Sequence, residues 1–419
     1  MNQDKTKQTI SVVHPVCCGL DVHKKSISAC LIFNDSSGQE QSIIQEFDTF
    51  TDSLIRLREW LIEHSCPIVA MESTGIYWRP VHNILEEAVE VILVNARHVK
   101  NVPGRKTDIA DSRWLAGLLR YGLVKGSFIP PKHVREWRDI TRCRQKHVQT
   151  QNDYKRRVHK LFESANIKID SVLSDLFGAT GRRLIALLAD PEAEITLEDV
   201  KKAAHSRVRH KVPELFRSIQ GHFTAHHAFM LRSLLRTISH HEQEIETLDC
   251  RLKELMSEHT PILEELDRIP GINEVTARSV LAEIGPSLDA FPSCSHLTSW
   301  AGLCPGNNQS AGKRKGGRSP VKKHHLKTIL VEAAWAATRK KDSYYKEKFH
   351  RLKSRRGPKK AIVAIAHRLL KAIYHVIKFG TAFRDLGAHY LQQRAQAATL
   401  RYLRKQASVL GMKLVPTEA

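Results

Sequence analysis

Long apolar runs, cysteine pairs and zinc-spaced ligands are missing from this 419-residue chain, and each absence removes a class of protein. No stretch of eighteen apolar residues occurs, and no charged start leads into an apolar segment with a cleavage site, so a cytosolic protein without a membrane partner is expected. The eight cysteines, at 17, 18, 30, 66, 143, 250, 294 and 304, form no C-x-x-C pair. That argues against a zinc ribbon or disulfide framework and for reduced, mainly buried thiols. The histidine pairs at 226–227, 240–241 and 324–325 also lack metal spacing. Negative charge is scarce: 44 acids face 66 Lys and Arg, a formal charge of +22. Such a surplus calls for a polyanionic partner, and basic residues recurring along the chain favour nucleic acid over a membrane surface.

What is present reads as three zones. Up to about residue 130, "VCCGLDV" and "SISACLIFN" are short apolar runs joined by a polar turn. "SLIRLREWLIEH" and "WRPVHNILEEA" have helical periodicity, and "PIVAMEST" and "VEVILVN" are buried strands. A hairpin followed by strand and helix alternation predicts an α/β or α+β sheet. The zone to about 265 is helical and polar. In it Leu231, Leu234, Leu235, Ile238, Ile245, Leu248, Leu252 and Leu255 recur at coiled-coil spacing, so a coiled-coil arm and a plain bundle helix are both open. The stretch 135–160 reads as a basic helix lying on nucleic acid or presenting a solvated face. The last zone opens with "LDRIPGINEVTARSVLAEIG", the pattern of a helix-hairpin-helix element whose turn, at Gly271, points backbone N–H groups at a phosphate. Domains are expected at 13–160, 161–262, 263–385 and 386–419.

Four carboxylates stand out. Asp21 ends the first strand and Glu72 a later one, while Asp108 and Asp111 share one face of a following helix. Singly, each suits a turn or cap. Converging, they would repel unless divalent cations neutralise them, and hard oxygen ligands suit Mg²⁺. Two such ions side by side clamp the attacking and leaving oxygens of a phosphodiester. The surrounding cations, Arg105 and Lys106 among them, then belong to the nucleic-acid backbone.

A second chemical element is "GLCPGNNQSAGKRKGGRSPVKKHH". Its glycines allow close backbone approach, and Lys313, Arg314, Lys315, Arg318, Lys322 and Lys323 offset phosphate charge. Ser310 in this loop is either a turn former or a nucleophile on phosphorus.

"GLDVHKKSISACL", "AMESTGIYWRPV" and "NARHVKNVPGRKTDIADSRWLAGLL" resemble the three acidic motifs of the DEDD transposases of bacterial insertion sequences, the Piv/MooV-like group that includes bridge-RNA-guided recombinases. The resemblance covers nearly the whole chain, with Ser112 departing from a frequent Ala. It implies a ribonuclease H-like, RuvC-like N-terminal domain, a helical or coiled-coil middle, and a mainly α C-terminal domain. It places metal ligands at Asp21, Glu72, Asp108 and Asp111. Ser310 becomes the catalytic serine, with Ser319, Ser299 and Ser295 as alternatives if the register differs. It also implies donor and target DNA, an element-encoded bridge RNA, a homo-oligomer whose active site is shared between subunits, and a place in the bacterial nucleoid. Three other functions stay open. A junction-resolving nuclease would use the acids to activate water. An actin-like kinase needs a glycine after the first Asp, which "GLDVHKKS" lacks. A binding protein with decayed acids would need no chemistry.

Overall fold

The computed structural model describes residues 11–73, 75–95, 108–190, 192, 194–305, 308–310, 313–316, 324–413 and 415, with backbone alone at 108–110, 308–310 and 313–316. Among the described residues no helix is long and apolar enough to cross a membrane. The chain divides into two compact units, Met1–Ile129 and Pro130–Ala419.

The first unit is built on strands β1 (Cys17–Val22), β2 (Ser26–Asn34), β3 (Glu40–Asp48), β4 (Ile68–Glu72) and β5 (Glu90–Val94), in the order β3-β2-β1-β4-β5. The first three pair antiparallel, and β4 and β5 join β1 in parallel. That order and polarity are those of a ribonuclease H-like sheet. Helices α1 (Thr51–Glu63) and α2 (Trp78–Leu85) supply the parallel crossovers, which two-residue turns cannot make.

Alternation along the strands sorts side chains into two layers. Cys18, Leu20, Val69 and Met71 pack with Leu54, Leu57, Trp60 and Leu85 of α1 and α2. Cys17, Cys30, Ile68, Ala70 and Val94 pack with Leu115, Ala116 and Leu119 of α3 (Asp108–Arg120) on the other face. β3 was absent from the sequence pattern. It is a sheet edge with mostly polar, exposed residues, so it lacks the apolar run that marks the inner strands.

Among its described residues the second unit is helical apart from one short hairpin. Helices α4 (Lys132–Ser164) and α9 (Ala225–Leu255) pair antiparallel, with Arg144 meeting Asp249 and Gln151 meeting Glu242. Between them in sequence lie α5 (Ile169–Val172), α6 (Ala179–Ala189), α7 (Leu197–Ala203) and α8 (Val212–Ser218). These close a core with the end of α4 and the start of α9, around Phe162, Ile185, Leu215 and Leu231. The heptad-like seam of α9 is therefore used within the chain: Leu231, Leu234, Ile238 and Leu252 are buried. Midway, α4 buries only Gln151 between Thr141 and Val158. Polar pairs hold this stretch, with Arg144 donating to both Asp249 oxygens at 2.6 and 2.9 Å and Nδ1 of His147 hydrogen-bonded to Nδ1 of His241 at 3.0 Å.

Helices α10 (Thr260–Asp267), α11 (Glu274–Ile284), α12 (Cys294–Trp300), α13 (His325–Ala337), α14 (Tyr344–Arg356) and α15 (Pro358–Phe379) form a bundle, followed by α16 (Tyr390–Val409). Leu266, Leu281, Leu330, Ile365 and Leu369 are fully buried in it. Asn273 caps α11 by accepting from the Thr276 amide at 2.9 Å, and Gly357, at φ +77°, divides α14 from α15 just before Pro358.

Candidate active site

Why do Asp21 and Glu72 fall side by side? β1 and β4 run parallel, with Leu20 beside Met71, so the next step along the pair sets Asp21 beside Glu72. Cys17 and Gly19 share a face with Asp21, as Ile68 and Ala70 do with Glu72, and that face is covered by α3. Both carboxylates therefore leave the carboxyl ends of neighbouring strands on the α3 side.

Glycine at position 19 lets the helix sit on the strand. A Cβ there would lie 2.2 Å from the Ser112 carbonyl oxygen and 2.5 Å from the Ala116 amide nitrogen. At the far end Arg120 donates to the Pro15 carbonyl at 2.8 Å and to Asn34 at 2.5 Å. The Cys17 thiol donates to the Ala116 carbonyl at 3.5 Å. Four helical residues rise about 6 Å, close to the advance of two strand residues, so α3 and β1 stay in step while running in opposite directions. One turn before Ser112 is the first turn of α3, bearing Asp108 and Asp111, which falls level with Asp21. Ser112 itself is buried, its hydroxyl 3.3 Å from that of Ser28, the residue opposite Asp21 in the β1–β2 ladder. The serine that departs from the resembling family thus knits α3 to the sheet.

Asp21 is part-buried, and its Oδ2 lies 3.1 Å from Nε2 of the exposed His23. Glu72 and Asp111 are half-buried. The Asp108 side chain lies outside the described residues, and among those described no three His, Cys, Asp or Glu side chains gather around one point. The donor chemistry fits a hard divalent cation, since every candidate ligand offers carboxylate oxygen. The positive end of the α3 dipole adds to the field there. His23 was not marked in the sequence. Its position just past the end of β1, two residues from Asp21, was the available sign.

The cysteines stand apart from this chemistry. Burial pushes the Cys17 thiol up to about 12 and that of Cys66 to about 11, so both stay protonated. Cys18 and Cys30 are buried as well, but Cys143 and Cys250 are exposed and Cys294 and Cys304 intermediate, so "mainly buried" holds for the sheet alone. The long basic helix α4 also spends part of its charge internally. Arg142 makes a two-point pair with Glu283 at 3.0 Å each, and Arg138 donates to the carbonyls of Ala282 and Glu283.

In the second unit the glycine-rich segment forms a hairpin, β6 (Asn308–Ser310) with β7 (Lys313–Gly316). Ser310 is the last residue of β6, paired with Lys313, and Gln309 pairs with Arg314. Lys315 follows on β7. Arg105, Lys106, Arg318, Lys322 and Lys323 lie outside the described residues. After the basic segment, His324 packs edge-on against Trp300 at 4.4 Å, and burial pulls its pKa down to about 4. Gly271 has φ +83°, and a Cβ on it would meet the Ala333 carbonyl of α13 at 2.1 Å. Helix packing requires glycine at that position.

Comparison with known proteins gives two family matches. Residues 18–167 match a DEDD transposase family, DEDD_Tnp_IS110, and residues 263–350 match the transposase IS116/IS110/IS902 family. Together they span more than half of the chain and include all four acids and Ser310. The chain belongs to the IS110-type transposases. The transposase is thus an enzyme that cleaves and rejoins DNA, from families that generally use divalent metals. No curated protein matches it. Among solved structures, Thermus thermophilus RuvC is 17% identical over 27% of this chain and 99% of its own, with a TM-score of 0.21. RuvC from the same source in complex with a Holliday junction substrate is 14% identical over 27% and 100%, also at 0.21. The ribonuclease H-like assignment rests on strand order.

Proposed function

We propose that the transposase cuts DNA with Asp21, Glu72, Asp108 and Asp111, carries the cut end on Ser310, and takes its target sequence from an RNA encoded by its own element. The observation supporting the metal half is the shared face of Asp21 and Glu72, level with the first turn of α3. The four carboxylates would hold two Mg²⁺ ions, which supply charge stabilisation at the attacking and leaving oxygens.

The Ser310 hydroxyl attacks phosphorus, its proton passing to water, and forms a phosphoserine bond. The bond from phosphorus to the departing sugar oxygen breaks, and that oxygen leaves with the electron pair and takes up a proton. In the reverse direction a sugar hydroxyl on the new partner strand attacks the same phosphorus and releases the serine. Each step exchanges one phosphoester for another, so rejoining needs no nucleotide energy source. The chain carries no zinc finger and no evident recognition helix for base edges, while its cations suit backbone shape. Base pairing by a bridge RNA would supply the missing specificity. A homo-oligomer would bring donor and target together.

The test is cleavage of an element-end DNA in Mg²⁺. Asp21→Asn and Asp111→Asn should each abolish cutting and leave DNA binding intact; full cutting by both variants removes the four-acid assignment. Recombination should also require RNA transcribed from the element's non-coding end, and altered pairing loops should redirect it. Unchanged recombination after RNase treatment would overturn the guided reading.

A further inference from the structure

From Tyr344 to Lys413 the chain holds seventeen Lys and Arg and two acids, Glu347 and Asp385. Elsewhere in the second unit arginines have carboxylate partners, as Arg142, Arg144 and Arg182 do. Here the ion pair found among the described residues is Lys378 with Asp289, at 2.6 Å. Asp385 is turned to the backbone, accepting from the amides of Tyr344 and Gly387 at 3.1 Å each.

The cations do not spread out. Arg351 of α14 donates to the Leu391 carbonyl of α16 at 3.2 Å, which joins the two helices. Arg368 of α15 lies over the Tyr344 ring at 5.7 Å, and Tyr344 meets Tyr390 of α16 edge-on at 5.9 Å. Arg351, Arg368 and the Tyr344–Tyr390 pair thus bring α14, α15 and α16 together, with Lys348, Arg355 and Arg394 as charged neighbours there. Burial, and then the neighbouring Arg368, Arg355, Arg351 and Arg394, hold the Lys348 ammonium below its usual range. Beside them a cavity of about 290 Å³ is lined by Arg368, Lys371, His375 and Arg384, and by Asp385, whose carboxylate is held by the two backbone amides.

Five cations gathered with no ion pair to a carboxylate among the described residues cost energy in the free protein through mutual repulsion. Anions spaced along the same surface would relieve that repulsion. We propose that the α14–α15–α16 junction is a phosphodiester-binding surface, with successive backbone phosphates along Lys348, Arg351, Arg355 and Arg394 and one drawn into the cavity at Arg368. This rests on the reading of the chain as a nucleic-acid enzyme. It needs neither the four acids nor Ser310, and its test reads binding instead of cleavage.

The experiment compares the full chain with a variant carrying Lys348→Gln, Arg351→Gln and Arg355→Gln. Affinity is measured over a salt series for a random-sequence DNA duplex and, separately, for a hairpin RNA. Each lost phosphate contact should lower the slope of log affinity against log salt by about 0.9 on duplex or about 0.7 on single strands. The triple variant should therefore lose roughly two to three from its slope. Arg351→Lys with Arg355→Lys should keep the parent slope, because charge and not geometry is read. A loss with duplex alone assigns the surface to DNA, a loss with RNA alone to the guide, and a loss with both to backbone in general. An unchanged slope with both probes overturns the proposal. If circular dichroism shows the triple variant unfolded, Arg351→Gln and Arg355→Gln made singly give the same reading, one contact each.

Discussion

The acid face of the N-terminal sheet and the cation junction at the C-terminal end both crowd like charges, but different things hold them. Asp21 and Glu72 stand at the ends of two hydrogen-bonded strands, against a helix that Gly19 brings into backbone contact. Apart from the part-buried Lys348, the cations of the α14–α16 junction stand on exposed helix surfaces at the ends of long, rotatable side chains. Chemistry at phosphorus requires oxygen atoms fixed to a fraction of an ångström, whereas holding a phosphate chain requires a number of charges near the surface. One region is therefore specified through backbone packing and the other through composition.

The comparison breaks most sharply at single atoms. Asp21→Asn or Glu72→Gln should cost about 10³-fold in cleavage, since several kcal/mol of charge stabilisation goes with a metal ligand. Binding should stay within roughly twofold, because its energy lies in many phosphate contacts. A filter-binding curve beside a cleavage time course measures both.

Backbone packing gives the next effect. Gly19→Ala forces α3 away from β1 and should destabilise the unit by about 1–3 kcal/mol. Cleavage should fall at temperatures where the protein stays folded, because Asp111 moves with its helix. A variant as stable and active as the parent would show that the close approach is not needed.

Two carboxylate pairs on the same helix sharpen the point by their burial. Glu283 is almost fully buried, and Glu283→Ala strands Arg142, so a loss of about 3 kcal/mol is expected. Arg144→Ala breaks a similar two-point pair, partly exposed between α4 and α9, and should cost about 1 kcal/mol. Urea titrations of the two variants test the ordering.

Acid exposes a further difference. The folded-state pKa of His324 lies below its unfolded value, so the unfolded chain binds the extra proton first. Stability should decline as pH drops below about 6.5 and stop declining from this source below about 4. Trp300 is the ring against which it packs, so His324→Gln should flatten the melting temperature between pH 7 and 5.

The inner elements of the first unit were legible because period and burial agree there. "SISACLIFN" is β2 to the residue, and the motif acids sit at the strand ends and helix start where expected. The polar edge strand β3 was hidden because the alternation of a one-sided edge is weak. The regular leucines of α9 identified a helix seam but not its partner, since spacing is silent about which chain covers it. What selects α4 of the same chain is a set of polar pairs, Arg144 with Asp249 and Gln151 with Glu242, about a hundred residues apart in sequence. The cation junction was visible as composition alone, and its convergence depends on how three helices pack.

On the proposed reading, the chain works on DNA through a covalent serine and not through hydrolysis alone. Purified protein should be incubated in Mg²⁺ with end-labelled element DNA and its RNA, quenched, and run on a denaturing gel. A labelled band at the size of protein plus DNA is expected from the parent, with Ser310→Ala and Asp21→Asn both lacking it. Cleavage by Ser310→Ala at the parent rate, with no protein-linked label in either, would contradict the account and assign the acids to a water-activating nuclease.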